Sequence, residues 1–287
     1  MAAAINSTLP LKNQAIGIFD SGVGGLTVAR EIRKLLPHED IIYIADSANA
    51  PYGHKTSDFI QQRSLSITQA LTSFNVKAVV VACNTATVHS IAMLRQEFQF
   101  PIIGIEPGIK PAILKSQTKS VAVLATAQTL KSHSFHQLKE RFKQEAQIHL
   151  IPCLNWVEII EEGDLSSPRL IKQIEETLQS IPDKYVDTYV LGCTHYPLIK
   201  MHIRQILGHS IQIIDTGEAV ALEVKRRLQN DALLKDEITD GWERFYSTRA
   251  SAADCQLLTE IWGKETKIES LSIQHQPTPF EGSDERR

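Results

Sequence analysis

The sequence predicts an α/β protein made of two similar lobes, each a mostly parallel sheet flanked by helices, with a ligand cleft between them. Three observations lead there. Short apolar runs of strand length alternate with longer stretches at helical spacing, the pattern of βαβ units. A segment around residue 80 is echoed around residue 190. The length, 287 residues, is close to two average domains.

Taken in order, the expected strands are AIGIF (15–19), IIYIA (41–45), AVVVA (78–82), PIIGI (101–105), SVAVLA (120–125), QIHLI (147–151), TYVLG (188–192) and IQIID (211–215). Each is a nearly continuous apolar run, as in parallel strands buried on both faces. Between them, Ile60, Ile67, Leu71 and Phe74 mark one face of a helix after the turn PYGHKTS. Ser167 and Pro168 give an N-cap and an N1 proline, and Leu170, Ile171, Ile174, Leu178 and Ile181 follow on one face.

Composition narrows the classes of function. Thirty Lys+Arg against 33 Asp+Glu give a net charge of -3 and a pI near 6.4, which fits neither a nucleic-acid coat nor a polybasic membrane binder. The amino terminus has no basic signal region, and no stretch approaches the roughly 18 apolar residues of a span, so a cytoplasmic protein is expected. The four cysteines, Cys83, Cys153, Cys193 and Cys255, form no CxxC pair. Disulfide and zinc sites are therefore not expected, and a cysteine that matters here matters as a thiol.

The internal echo carries the most information. Residues 77–87 read KAVVVACNTAT and 187–197 read DTYVLGCTHYP. Each is a buried strand ending in a small residue, then Cys, then two polar residues and a helix start. Cys83 and Cys193 are thus expected at the carboxyl ends of parallel strands, where open α/β sheets place ligands. A helix N-terminus beside each should favour thiolate and lower its pKa. The plainer alternative is that each cysteine is a small buried apolar residue.

The first strand runs into Asp20-Ser21-Gly22-Val23-Gly24-Gly25-Leu26-Thr27. Glycines permit close approach, and the N–H groups at the following helix suit an anion, phosphate or carboxylate. No Gly-Lys-Ser/Thr follows, which excludes a Walker A loop. Asp46 lies where a ribose-binding acid would, but Thr27 replaces the third glycine of a dinucleotide fingerprint. Pro51, Tyr52 and Gly53 form a turn at the same edge, while Thr126 and Thr129 follow the strand 120–125 and suit either a carboxylate or a helix cap. His195, two residues from Cys193, suits a thiolate–imidazolium pair, and no third metal ligand stands at a suggestive spacing, so no metal is expected. Glu158, Glu161 and Glu162 cannot be told apart by spacing.

Two equivalent thiols exceed what nucleophilic catalysis needs. They suit stereoinversion, in which one group removes a proton from one face of a carbon and another returns one to the opposite face. The segments IFDSGVGGLTV (18–28), APYG (50–53), ACNTAT (82–87), GCTHYPL (192–198) and IDTGEAVA (214–221) together resemble the glutamate racemases of the aspartate/glutamate racemase superfamily, over roughly residues 15–265. The resemblance implies cofactor-independent interconversion of L- and D-glutamate for peptidoglycan synthesis. It implies that Cys83 deprotonates D-glutamate and Cys193 L-glutamate, that Asp20 serves the first thiol, and that His195 supported by Glu161 serves the second. Ser21, Pro51, Tyr52, Gly53, Asn84, Thr85, Thr126, Thr129 and Thr194, with Asp20 and His195, are the implied substrate-binding positions. Where many relatives have a proline, this chain has Glu158.

A homodimer and activation by a peptidoglycan precursor are also implied. The expected lobes are 15–108 with 218–268, and 109–217, between tails at 1–14 and 269–287. The end of the second tail, Gln276 to Arg287, has a disordered composition. Three alternatives remain: a racemase of a related acid such as aspartate, an amino-acid-binding protein without turnover, and a nucleotide-dependent oxidoreductase, which the missing third glycine disfavours.

Overall fold

The computed structural model describes residues 10–236 and 238–273. Within them ten strands form two sheets, and every pairing is parallel. Six strands make the first sheet: β1 (Ala15–Asp20), β2 (Ile41–Ala45), β3 (Val76–Val81), β4 (Ile102–Gly104), β9 (Glu243–Ser247) and β10 (Ile268–Ser270). Four make the second: β5 (Ser120–Ala125), β6 (Gln147–Pro152), β7 (Thr188–Leu191) and β8 (Gln212–Ile214).

The spatial order is β10-β9-β2-β1-β3-β4 in the first sheet and β6-β5-β7-β8 in the second. Removing β9 and β10 leaves the same 2-1-3-4 order in both. The sequence echo is therefore a repeat of topology, with β3 and β7 as equivalent strands. In each sheet the chain reverses its direction of travel beside the opening strand, between β1 and β3 and between β5 and β7. Open parallel sheets bind ligands outside the carboxyl ends at such switch points. Asp20 and Cys83 occupy the first switch point; Thr126 and Cys193 occupy the second.

All eight expected strands form. The third begins earlier than the apolar run suggests, at Val76, because Lys77 is buried there with its ammonium paired to Glu39 and donating to the Lys12 carbonyl at 2.6 Å. Two strands, β9 and β10, were not expected. They extend the sheet beyond β2, with β10 at the edge, and their sequences, ERFYS and IES, interrupt the apolar signal with charge. The ordered chain also runs past the expected lobe end at 268: Leu271 and Ile273 pack on the core, and the Ile273 carbonyl accepts from Arg63. The rest of the two expected tails, 1–9 and 274–287, including Gln276 to Arg287, lies outside the described residues.

The helices are α1 (Leu26–Leu35), α2 (Ser57–Ser73), α3 (Asn84–Glu97), α4 (Ile109–Lys115), α5 (Ala127–Lys131), α6 (His133–Phe142), α7 (Trp156–Glu161), α8 (Pro168–Gln179), α9 (Lys200–Leu207), α10 (Gly217–Asn230) and α11 (Ala252–Trp262). Ile60, Ile67 and Leu71 of α2 are buried against one face of the first sheet. Leu26, Val28 and Ile32 of α1 meet Val220, Val224 and Leu228 of α10 on the other. Ser167 caps α8 by accepting the Leu170 N–H at 3.4 Å, and Leu170, Ile174 and Leu178 are buried. These faces are large: truncating one fully buried isoleucine such as Ile18 to Ala costs about 2–5 kcal/mol.

Candidate active site

The site begins with the glycine turn after β1. Its N–H groups do meet anions, but the anions are the protein's own. The Gly25 N–H donates to Asp20 Oδ2 at 2.8 Å, and the Val23 N–H donates to Glu161 Oε1 at 2.8 Å. The glycines make room for the facing lobe. A Cβ at Gly22 would lie 2.0 Å from Glu161 Oε1, and one at Gly24 would lie 2.3 Å from His195 Nδ1. Thr27, the residue that spoils the dinucleotide fingerprint, donates to the Gly24 carbonyl at 2.8 Å and lies 3.1 Å from the Thr194 carbonyl. Its hydroxyl ties the turn to the second lobe.

Cys83 follows β3 and caps α3, its sulfur accepting the Ala86 N–H at 3.4 Å. Ser21 Oγ lies 3.7 Å from the sulfur. The expected lowering of this thiol's pKa is not found. Burial and then the Asp20 carboxylate push the Cys83 thiol up, and the helix N–H and Ser21 offset only part of that. Asp20 is itself fully buried, and burial raises its pKa above the ordinary 3.8, with His195 and the Gly25 N–H acting in the opposite direction. Thr194 Oγ1 lies 3.4 and 3.5 Å from the two Asp20 oxygens, so the acid of the first lobe is held from the second.

Cys193 follows β7, but the chain next forms a single turn of 3-10 helix, Tyr196–Ile199, before α9. The partner of this thiol is therefore a side chain. Its sulfur lies 3.7 Å from His195 Nδ1, and His195 Nε2 lies 2.6 Å from Glu161 Oε1. Burial opposes charge on His195, yet the hydrogen bonds to Cys193 and Glu161 prevail and hold its pKa well above 6.5. The imidazolium thus donates from both nitrogens, one toward sulfur and one to carboxylate. The three glutamates that spacing could not separate are separated by their partners: Glu158 pairs with His54, Glu162 with Arg169 at 3.1 Å, and Glu161 with His195.

A second polar cluster closes the floor. The hydroxyls of Thr85, Thr126 and Thr129 form a ring with separations of 2.9, 3.1 and 2.9 Å, joining α3 to the start of α5. Thr126 also caps α5 by accepting the Thr129 N–H at 3.2 Å, the second of its two expected uses. Gly53 faces the same residue, since a Cβ there would meet Thr126 Cβ at 3.1 Å. Beside Cys83, Asn84 is 2% exposed, and neither its side-chain oxygen nor its nitrogen has a hydrogen-bond partner among the described residues. Such a buried amide normally finds one.

Not every expected binding residue offers its side chain. Tyr52 is buried with its hydroxyl donating to Asp46 Oδ2 at 2.6 Å, and Arg63 donates to both Asp46 oxygens at 2.6 and 3.1 Å. In the turn that Tyr52 shares with Pro51 and Gly53, only the backbone is left for a ligand. Sequence reasoning missed Val23 and Thr27 as tethers, and missed Tyr43, whose hydroxyl donates to the Gly22 carbonyl at 2.7 Å. The only available signal was the density of small residues in 20–27, which marks close approach without naming the partner.

A family model described as Asp/Glu/Hydantoin racemase matches residues 25–224. The chain is 44% identical over 256 residues to the glutamate racemase of Methylococcus capsulatus, covering 89% of this chain and 94% of that protein. The glutamate racemase isoform RacE1 of Bacillus anthracis superposes with a TM-score of 0.83 at 31% identity, over 91% of this chain and 98% of that one. The Escherichia coli glutamate racemase, solved with L-glutamate and the activator UDP-MurNAc-ala, gives a TM-score of 0.80 at 32% identity, over 91% and 99%. With a matching family model over most of its length and relatives this similar along nearly the whole chain, the protein belongs to the Asp/Glu/Hydantoin racemase family.

Proposed function

We propose that this protein interconverts L- and D-glutamate by a two-thiol, cofactor-independent proton transfer. The observation that carries the reading is the pair of buried cysteines at equivalent strand ends of two sheets with the same strand order. Substrate lies between the lobes, which divide at the crossings near 108 and 217, with the first lobe running on to at least 273. Cys193 takes the α-proton of L-glutamate while Cys83 delivers one to the opposite face, and the reverse reaction exchanges their roles.

The two sides reach this by different means. His195 held as an imidazolium is the counter-ion that a Cys193 thiolate needs in a buried site, and Glu161 fixes the ring's orientation. Cys83 is kept as a thiol by burial and by Asp20, so it begins as the acid. For the reverse direction Asp20, whose own pKa is raised, receives the Cys83 proton, and the His195 imidazolium gives its Nδ1 proton to Cys193, so that Cys83 becomes the base and Cys193 the acid. Asn84, Thr85, Thr194, Ser21 and backbone N–H groups bind the carboxylates and ammonium. Their fixed dipoles stabilise the carbanionic charge better than water would.

The same reading makes the protein a supplier of D-glutamate for peptidoglycan, acting in the cytoplasm. Among the described residues no helix is long and apolar enough to cross a membrane. A homodimer and activation by a peptidoglycan precursor are further parts of it; the precursor-type activator bound to the Escherichia coli relative supports the second.

The test is incubation with L-glutamate in heavy water without added cofactor, followed by optical rotation and by NMR at the α-position, with L-aspartate run in parallel. D-glutamate carrying α-deuterium is expected, with aspartate turning over far more slowly. Absence of both D-isomer and exchange overturns the proposal.

A further inference from the structure

We infer that Arg249 is a positioning residue for the Cys193 half of the site: it acts through Glu161 and His195 and thereby couples the C-terminal part of the first lobe to catalysis. The inference rests on the reading above for which reaction Cys193 serves.

Glu161 Oε1 already accepts from His195 and from the Val23 N–H. Oε2 is buried and makes no hydrogen bond among the described residues. The cation facing that oxygen is Arg249, with Nη2 at 3.6 Å. A buried carboxylate with one oxygen doubly used and the other bare is costly without a counter-charge. Arg249 supplies that charge from the other lobe, and the charge of Glu161 is what orients the imidazolium beside Cys193.

The placement of Arg249 is built. Arg249 pairs with Asp254, Nη2 to Oδ1 and Nε to Oδ2 at 3.2 Å, and Asp254 is the acid of a capping box with Ser251 at the start of α11. Ser247 Oγ, at the end of β9, accepts the N–H groups of Arg249 and Ala250 at 3.1 and 3.0 Å. Ala250 sits at φ 50°, left-handed for a residue with a Cβ, a conformation that persists only where the surroundings fix it. The planar guanidinium holds Asp254 along its Nε–Nη2 edge while Nη2 also faces Glu161, a fixed geometry that an ammonium on a flexible stem lacks. The strand and helix that the sequence signals least thus aim one side chain at the catalytic acid.

The test separates a local effect on Cys193 from general loosening. In heavy water, D-glutamate deprotonated by Cys83 either inverts, when Cys193 delivers deuterium, or returns as labelled D-glutamate when Cys83 does. In Arg249→Gln, kcat should fall about two- to fivefold, the scale of losing one half-exposed ion pair. The ratio of exchange to inversion should rise severalfold starting from D-glutamate and stay unchanged or fall starting from L-glutamate. Arg249→Lys keeps the charge against Asp254 and serves if the glutamine variant does not fold; it should show the same asymmetry at smaller size. In the ligand-free protein the imidazole nitrogen resonances of His195 should also move in either variant, a readout that needs no turnover. A folded variant with wild-type ratios and unmoved His195 resonances overturns the inference, as does a ratio that rises equally from both isomers. If the resonances move but wild type does not racemise glutamate, the coupling stands and the proposed reaction fails.

Discussion

Gly24 and His195 are in direct contact across the two lobes: a Cβ on Gly24 would lie 2.3 Å from Nδ1 and 2.6 Å from Cε1 of the imidazole. The ring cannot retreat, because Glu161 holds its far nitrogen at 2.6 Å and the residue is buried. Gly24→Ala should therefore push the imidazole off the Cys193 sulfur. Overpacking costs about 1–3 kcal/mol of stability. A misplacement near 1 Å costs about 100-fold in rate. Steady-state kinetics and a thermal melt check this together; a variant with normal kcat would mean the lobes separate there at no cost.

The two cysteines should differ in what each half of the site can still do alone. Equilibrium between mirror-image substrates forces kcat/KM to be equal in both directions, so direction-specific roles must be read from isotope exchange. Cys193→Ala should abolish inversion while still labelling D-glutamate at the α-position, and Cys83→Ala should do the converse with L-glutamate. Loss of more than about 1000-fold in inversion is expected for each, the upper end of what one general acid/base contributes. Labelling of the wrong isomer would exchange the assignments.

How far the sequence carries differs between the fold and the site. The eight strands of the repeated unit are legible because a parallel strand covered on both faces must be apolar throughout, as IIYIA and AVVVA are. The strands β9 and β10 are not, because β10 is a short edge strand and β9 buries only its second half, so charged residues such as Arg244 and Glu269 break the apolar run. The thiols are legible because the chain repeats their setting. The direction of the Cys83 pKa is not, because a helix N-terminus is a local feature while Asp20 and burial come from tertiary packing. The same holds for Glu161, chosen from three glutamates only by the approach of His195, and for Arg249, which is distant from every motif.

Asp20 should lower stability while supporting catalysis. Its folded pKa is raised, by burial first, above 3.8. As pH rises from 3.8, the unfolded chain releases this proton before the folded one does, so stability falls across the window from 3.8 up to the folded pKa. Each pH unit of that window is worth about 1.4 kcal/mol. Asp20→Asn removes the penalty, since the amide oxygen can still accept the Gly25 N–H. The variant should gain stability relative to wild type at pH 7.5 compared with pH 4, and should lose activity. Urea unfolding at the two pH values measures the gap; a gap that is constant or larger at pH 4 contradicts the account.

Asn84 offers the converse separation of stability from function. Its amide is buried beside Cys83 with both polar atoms unpaired, an arrangement that costs about 1–3 kcal/mol when nothing fills it. A structural role would leave the amide bonded to the protein, as the Tyr52 hydroxyl is bonded to Asp46 at 2.6 Å. A binding role predicts an amide that waits for its partner, giving its N–H to a carboxylate and its oxygen to an ammonium. Asn84→Ala removes the unpaired groups, so the melting temperature should hold or rise. The lost contacts to a charged ligand, about 1.5–3 kcal/mol, should appear as a rise in KM of tenfold or more. Asn84→Asp should be worse still, placing a negative charge beside a substrate carboxylate. Melts of the ligand-free proteins paired with glutamate titrations decide the matter: a clear loss of stability in Asn84→Ala with unchanged KM would make the amide part of the scaffold.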